Sequence, residues 1–254
     1  MRKTPNFKYM QPKGNKSIVV IGNGPSLNDI DMSLLKDVDT ISFNRAYIAY
    51  EEWGFYPTYY MTIDKAGLGS YGNDIIELIK TSPIKHFFLM KQNTYDYKNV
   101  ISAGDNTSLL IENQKLNYHF LEVEPFNSTN IPKNIQVPTS GSVTISSLAI
   151  LHAMGYKNIY LVGCDARYGT EHIGKLISKS NNDSDHFRPD YFGTNIEFGG
   201  PQKHAYLDRW NQFPFTSSLC PINIISCTKN SELHKFGYKY EDINTVITKI
   251  KEAK

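Results

Sequence analysis

Three polar residues close three successive short apolar runs: Asn23 after Ile18-Val19-Val20-Ile21, Asn44 after Thr40-Ile41-Ser42-Phe43, and Asp64 after Tyr59-Tyr60-Met61-Thr62-Ile63. Side-chain amides donate and accept hydrogen bonds and a carboxylate accepts them, so such a row could hold a polar ligand. The first run breaks into Gly22-Asn23-Gly24-Pro25-Ser26. Its glycines allow the backbone to approach a ligand closely, and Pro25 suits the first position of a helix whose N-terminus would face that ligand. An anion is the natural candidate. The stretch is neither the dinucleotide fingerprint nor a phosphate-binding P-loop, and an unliganded strand-to-helix turn would use the same glycines.

Val137-Pro138-Thr139-Ser140-Gly141-Ser142 precedes a helical pattern from Val143 to Met154. Small hydroxyl residues with a glycine at a helix start can donate to a phosphate or carboxylate, or serve as an ordinary cap. The apolar run Ile159 to Val162 ends in Gly163-Cys164-Asp165, with Arg167 and Tyr168 behind it. His204 opens a helical segment from Ala205 to Phe213, and histidine has the pKa that a base needs near neutrality. Two Asp-x-Asp triplets raise the question of a divalent metal. Asp29-Ile30-Asp31 falls in a helical segment, where it reads as a solvated face; Asp183-Ser184-Asp185 lies in a polar loop and is more open.

Helical patterns at Asn28 to Lys36, Asp74 to Lys80, Val143 to Met154 and Tyr240 to Lys254 alternate with apolar runs, which also include His86 to Met90 and Ile222 to Ile225. That alternation predicts an α/β fold with a mostly parallel sheet flanked by helices, whose strand ends line one edge where ligands bind. Gln92 to Lys133 is polar and aromatic with weak periodicity; it could contain an irregular strand but supports no firm assignment. The polar stretch 169–200, about thirty residues long, reads as a lid or a disordered connection. Residues 1–16, with five basic side chains, read as a flexible arm before a single domain over 17–254.

A net charge of +2 gives no electrostatic case for nucleic acid as a partner. The three cysteines, Cys164, Cys220 and Cys227, lack metal-ligand spacing and read as reduced and buried, hence cytoplasmic. No apolar run approaches the roughly 20 residues of a membrane span.

Gly22-Asn23-Gly24-Pro25-Ser26-Leu27, Phe43-Asn44, Thr139-Ser140-Gly141 before a helix, the run from Gly155 to Asp165 and a late histidine together resemble the bacterial sialyltransferases of glycosyltransferase family 42. The wider group of motility-accessory proteins and proteins similar to a hydroxymethylpterin diphosphokinase shares the outline. The resemblance implies a modified Rossmann-type fold with a small lid. It also implies inverting transfer of an acidic sugar, sialic acid or similar, from a CMP-sugar donor to a glycan acceptor without a metal or other cofactor. By position, Gly22, Asn23, Gly24, Ser26, Asn44, Asp64 and Asp165 would hold the nucleotide and donor. Thr139, Ser140 and Gly141 would grip the donor's carboxylate or phosphate. Tyr168 and Arg167 would assist the leaving phosphate, and His204 would be the base. His204 lies 23 residues before Cys227, in a segment like the family's Cys-Pro-Asn-Ser, which favours it over His186.

Val137 stands where the family has arginine, and Asp64 where it has asparagine. The implied task is extension of a bacterial surface glycan such as lipopolysaccharide or capsule, from the cytoplasm or the inner membrane's surface, with a homo-oligomer left open. Two rivals stay open: a diphosphate transfer from ATP, for which Asp64 and Asp165 could hold Mg2+, and a non-catalytic nucleotide-binding module.

Overall fold

Ile18, Val19, Val20 and Ile21 are all fully buried, so the first strand, β1 (Ser17–Ile21), is covered on both faces. Parallel sheets have this property because their crossovers lay helices on either side. The structure is a computed structural model that describes residues 12, 16–63, 65–90, 118–125, 136–139, 142–169, 176–178, 183–193, 197–199, 207, 210 and 222–253. In chain order the further strands are β2 (Thr40–Phe43), β3 (Tyr59–Thr62), β4 (His86–Met90), β5 (Tyr118–Pro125), β6 (Gln136–Thr139), β7 (Asn158–Val162), β8 (Leu176–Ser178), β9 (Glu197–Gly199), β10 (Asn223–Ser226) and β11 (Lys239–Tyr240). Nine of them form one sheet in the order β11-β10-β7-β1-β2-β3-β4-β5-β6, with every neighbouring pair parallel. β8 and β9 form a separate antiparallel pair. The fold is the expected Rossmann-like α/β class.

Alternation along β1 divides the core. Val19 and Ile21 face one layer, which contains Ile75 and Ile79 of helix α2 (Lys65–Thr81) and Val246 and Ile250 of the closing helix α4 (Ile243–Glu252). Ile18 and Val20 face the other, built on Ile145, Leu148 and Leu151 of α3 (Val143–Ala153), with Trp210 and Leu233. A one-turn helix, α1 (Tyr50–Trp53), ends at left-handed Gly54 and leads into β3.

Several local expectations change. The segment read as one helix from Asn28 to Lys36 is two 3-10 turns, Pro25–Asp29 and Met32–Leu35, broken by extended Ile30. Asp31 caps the second by accepting from the Ser33 N–H (3.0 Å), so Asp29-Ile30-Asp31 is a turn device rather than a helical face. β5 lies in the stretch that carried no assignment, and β6 includes Thr139, read above as part of a helix-start loop. Both escape periodicity because Tyr118–Pro125 mixes charge with apolar residues and Gln136–Thr139 is short and holds a proline. The 3-10 turn Glu232–Phe236 and the two-residue β11 are likewise below what pattern reading detects. The arm, Cys220 and the Ala205 to Phe213 segment, apart from residues 207 and 210, lie outside the described residues.

Among the described residues no helix is long and apolar enough to cross a membrane. Cys164 and Cys227 are free and buried; burial pushes the Cys227 thiol up to about 12 and raises that of Cys164 well above its ordinary value, so neither is a thiolate at neutral pH.

Gly163 has φ of +62°, and a Cβ there would lie 2.5 Å from the buried Leu27 side chain. Left-handed backbone with a Cβ costs about 1–2 kcal/mol and overpacking about 1–3 more, so Gly163→Ala should destabilise the protein by about 2–5 kcal/mol, read as a lowered thermal midpoint or a lowered urea midpoint at unchanged slope.

Candidate functional site

The chain lays β2 through β6 on one side of β1 and then returns to place β7 on the other. Strand order reverses between β1 and β7, and in open α/β sheets the crevice beyond the carboxyl ends at such a point is where ligands bind. The two turns that frame it are Gly22-Asn23-Gly24 and Gly163-Cys164-Asp165.

They are fastened to each other. Gly22 donates its N–H to the Val162 carbonyl (2.8 Å), and Gly24 donates to the Gly163 carbonyl (2.9 Å). A Cβ on Gly22 would sit 2.3 Å from the Gly163 oxygen, and one on Gly24 would sit 2.0 Å from Asp165 Oδ2. The glycines therefore permit the close approach of one turn to the other. Across the junction Ser26 Oγ donates to Asp165 Oδ2 (2.7 Å). Behind it, Ser231 Oγ donates to the Cys164 carbonyl (2.6 Å) and Thr228 Oγ1 accepts from the Cys164 N–H (3.3 Å).

Five buried side-chain atoms among the described residues lack a hydrogen-bond partner, and three of them are here: Asn23 Oδ1, Arg45 Nε and Asp165 Oδ1. An orphaned buried polar atom costs about 1–3 kcal/mol, so their gathering at the ends of β1, β2 and β7 makes this the candidate site. Asn23 is held by its Nδ2, which donates to the Phe43 carbonyl (3.2 Å), leaving Oδ1 as the free acceptor. Asp165 is 3% exposed; its nearest cation, Arg167 Nη2, is 3.9 Å away on a side chain 56% exposed. Asn44 accepts from Thr62 Oγ1 (3.0 Å), so its NH2 end is the one that can serve a ligand. Asn44 (φ +49°) and Ala166 (φ +54°) hold left-handed backbone beside β2 and Asp165, the kind of strain that collects at functional sites.

Residues 183–193 cap this edge. Asp183 is buried and accepts from the Asp185 N–H (2.8 Å), the His186 N–H (3.2 Å) and the His186 ring at Nδ1 (2.8 Å). Burial alone would raise its carboxyl, but the His186 ring and the two backbone donors outweigh that and hold it below its ordinary value. The His186 ring stacks on Tyr191 with centroids 4.0 Å apart, and Phe192 meets it edge-on at 5.0 Å. The cap attaches to the sheet at three points: Phe187 N–H to the Asn23 carbonyl (3.0 Å), Arg45 N–H to Tyr191 OH (3.3 Å), and Arg188 Nη1 to the Ile48 carbonyl (3.4 Å). Asp185 Oδ1 also accepts from the Gly169 N–H (2.7 Å), and Tyr168 lies 6.5 Å from the His186 ring. Phe187 packs on Trp53 at 5.7 Å. Asp183-Ser184-Asp185 thus organises the cap. Among the described residues no three His, Cys, Asp or Glu side chains group as metal ligands.

The structure brings together Gly22, Asn23, Gly24, Ser26, Asn44 and Asp165, with Arg167 and Tyr168 on the chain leaving β7. Thr139 ends β6, the outer strand five positions from β1, and so meets the carboxyl edge from its far end. Asp64, Ser140, Gly141 and His204 lie outside the described residues. Sequence reasoning missed Arg45, Phe187 and Tyr191. Arg45 had a signal in its place directly after Asn44 at a strand end, whereas the two aromatics are recognisable only once the cap is folded.

This geometry defines a Rossmann-like α/β protein with a candidate crevice at the β1–β7 reversal. The chain belongs to the MptE-like family, described as 6-hydroxymethylpterin diphosphokinase MptE-like, whose family model matches residues 1–171. No curated protein matches it by sequence. Among solved structures it is similar to the monofunctional α-2,3-sialyltransferase Cst-I of Campylobacter jejuni, at 18% identity and a TM-score of 0.52 over 89% of this chain and 80% of that one. An apo α-2,3-sialyltransferase from the same organism gives 18% identity and 0.52 over 94% and 84%. A variant of the sialyltransferase Cst-II in complex with CMP gives 16% and 0.50 over 91% and 88%. The fold expected from the resemblance is shared along nearly the whole chain.

Because the folded Asp183 carboxyl is held below its ordinary value of 3.8, its contribution is complete above that value and is lost as pH falls through the lowered one. The protection factor of the Phe187 amide, its exchange rate relative to the intrinsic rate at the same pH, should fall on acidification below about pH 4. Asp183→Ala should lower that protection already at neutral pH by about tenfold or more, the loss expected for removing a charged hydrogen-bond acceptor.

Proposed function

We propose that this protein is an inverting, metal-independent glycosyltransferase that takes an acidic sugar, sialic acid or a relative, from a CMP-activated donor and extends a bacterial surface glycan. The observation that carries the reading is the trio of unpaired buried atoms at the β1–β7 reversal, on a fold shared with sialyltransferases. Asn23 Oδ1 and Asp165 Oδ1 are acceptors suited to ribose hydroxyls or an exocyclic amine, and the Asn44 NH2 is a donor. A Cst-II structure in complex with CMP supports cytidine nucleotide as the ligand.

In the proposed reaction His204 takes the proton of the acceptor hydroxyl while that oxygen attacks the anomeric carbon on the face opposite the phosphate. The sugar–phosphate C–O bond breaks, its electron pair leaves with CMP, and Tyr168 and Arg167 donate to the phosphate oxygens. No metal is needed, since a departing monophosphate carries a charge that such donors can meet. A second reading, Mg2+-dependent diphosphate transfer from ATP, is favoured by the family's description and by the Asp165 carboxylate oxygen that accepts no hydrogen bond at a strand end.

A ligand panel separates the two. CMP and CMP-sialic acid, without metal, should raise the unfolding midpoint; at a hundredfold excess over Kd the gain is about 2.7 kcal/mol, or several degrees for a chain of this size. A response confined to ATP with Mg2+ selects the second reading. His204→Ala should cut turnover by about 10²–10⁴ while CMP still binds, and undiminished turnover would remove His204 from the role.

A further inference from the structure

Arg45 is the cation at the carboxyl edge that the proposed reaction leaves unused. It follows β2 directly, beside Asn44, and its side chain is half-buried. The guanidinium carbon lies 5.8 Å from the Tyr47 ring centroid and 5.9 Å from that of Tyr71, so two aromatic rings fix the fork. Tyr47 is anchored in turn by its hydroxyl, which donates to Asp74 (2.7 Å). Gly193 of the cap, with φ of +65°, lies over the other end; a Cβ there would be 3.6 Å from Arg45 Nη2.

Among the described residues no carboxylate hydrogen-bonds this guanidinium, and its Nε is buried without an acceptor. Asp190, in the cap, is close enough for the Arg45 charge to help hold its carboxyl below the ordinary value, but it gives both oxygens to Arg188 (2.9 Å each). A partly desolvated guanidinium held by rings, with a buried donor left without an acceptor, is costly unless a ligand supplies one, and arginine's planar edge, Nε with one Nη, matches an oxyanion bidentately.

We propose that Arg45 recognises an oxyanion of the substrate, a phosphate or a sugar carboxylate, through the Nε edge of its guanidinium. The assignment of that oxyanion to a sugar nucleotide rests on the transferase reading; the oxyanion site itself does not. Tyr191 accepts from the Arg45 backbone N–H and Gly193 lies beside Nη2, so the cap adjoins this side chain, and the anion enters as the cap shifts and is enclosed when the Arg45 N–H to Tyr191 contact re-forms.

The test is calorimetric titration of the full chain and of Arg45→Met and Arg45→Lys with cytidine, CMP, CMP-sialic acid, inorganic phosphate and ATP with Mg2+, each variant first checked for a cooperative urea transition. Arg45→Met should weaken the anionic ligands about ten- to hundredfold and leave neutral cytidine unchanged, with Arg45→Lys losing less because charge remains without the fork. A loss already present with CMP assigns the phosphate; one confined to CMP-sialic acid assigns the carboxylate. Unchanged anion affinities alongside intact binding of cytidine nucleotides overturn the role of Arg45 and leave the transferase standing. An equal loss for cytidine means the side chain only supports the fold of the site, and also overturns it. Arg45-dependent binding of ATP or phosphate with no binding of cytidine nucleotides keeps Arg45 and removes the transferase. If the unaltered protein binds none of the anions, both fall.

Discussion

Two backbone hydrogen bonds, from Gly22 to Val162 and from Gly24 to Gly163, draw the ends of β1 and β7 closer than any pair of side chains would permit. Once the turns are locked, Ser26 reaches Asp165, and Asn23 is pinned so that its amide spans to the Phe43 carbonyl at the end of β2. The cap then takes its position from the same residue, through Phe187 and the Asn23 carbonyl. Removing the contact between the turns would disturb both the site and one of the three attachments of its cover.

The crevice keeps unpaired polar atoms next to a sheet whose central strand is entirely buried. The second layer behind it is correspondingly well satisfied. Ser231 and Thr228 bond the backbone of Cys164, Ser231 Oγ also caps the turn at Leu233, and Tyr60 reaches the Asn44 carbonyl (2.7 Å). Orphaned donors and acceptors at the rim are tolerable when the scaffold beneath leaves them no alternative partner.

Much of this was legible in the sequence. The β-branched and aromatic runs located β1 through β4, β7 and β10 to within a residue or two, and Asn23 and Asn44 stood out because polar residues ended strands in succession. The glycines were legible as special, but their part in fastening the two turns was not, since a steric conflict between turns so far apart in sequence depends on strand order, which periodicity does not encode. The first helix was misjudged because Leu27, Ile30, Leu34 and Leu35 keep helical spacing, while Asp31 breaks the backbone into two turns by bonding Ser33. Arg45 had its place directly after Asn44 as a signal, but a lone arginine at a strand end is weak by itself. Its ring neighbours and its unbonded Nε are what single it out.

The contact between Phe187 and Trp53 has an optical consequence. The chain contains two tryptophans. Trp210 is buried in the layer of α3, against Tyr238, on the opposite face of the sheet from the cap. Trp53 alone of the pair touches the segment that covers the crevice, and it is buried there in an aromatic group with Tyr50 and Phe55. Any excursion of the cap would hydrate one indole and leave the other dry, giving the protein an intrinsic emission signal for the state of its own cover.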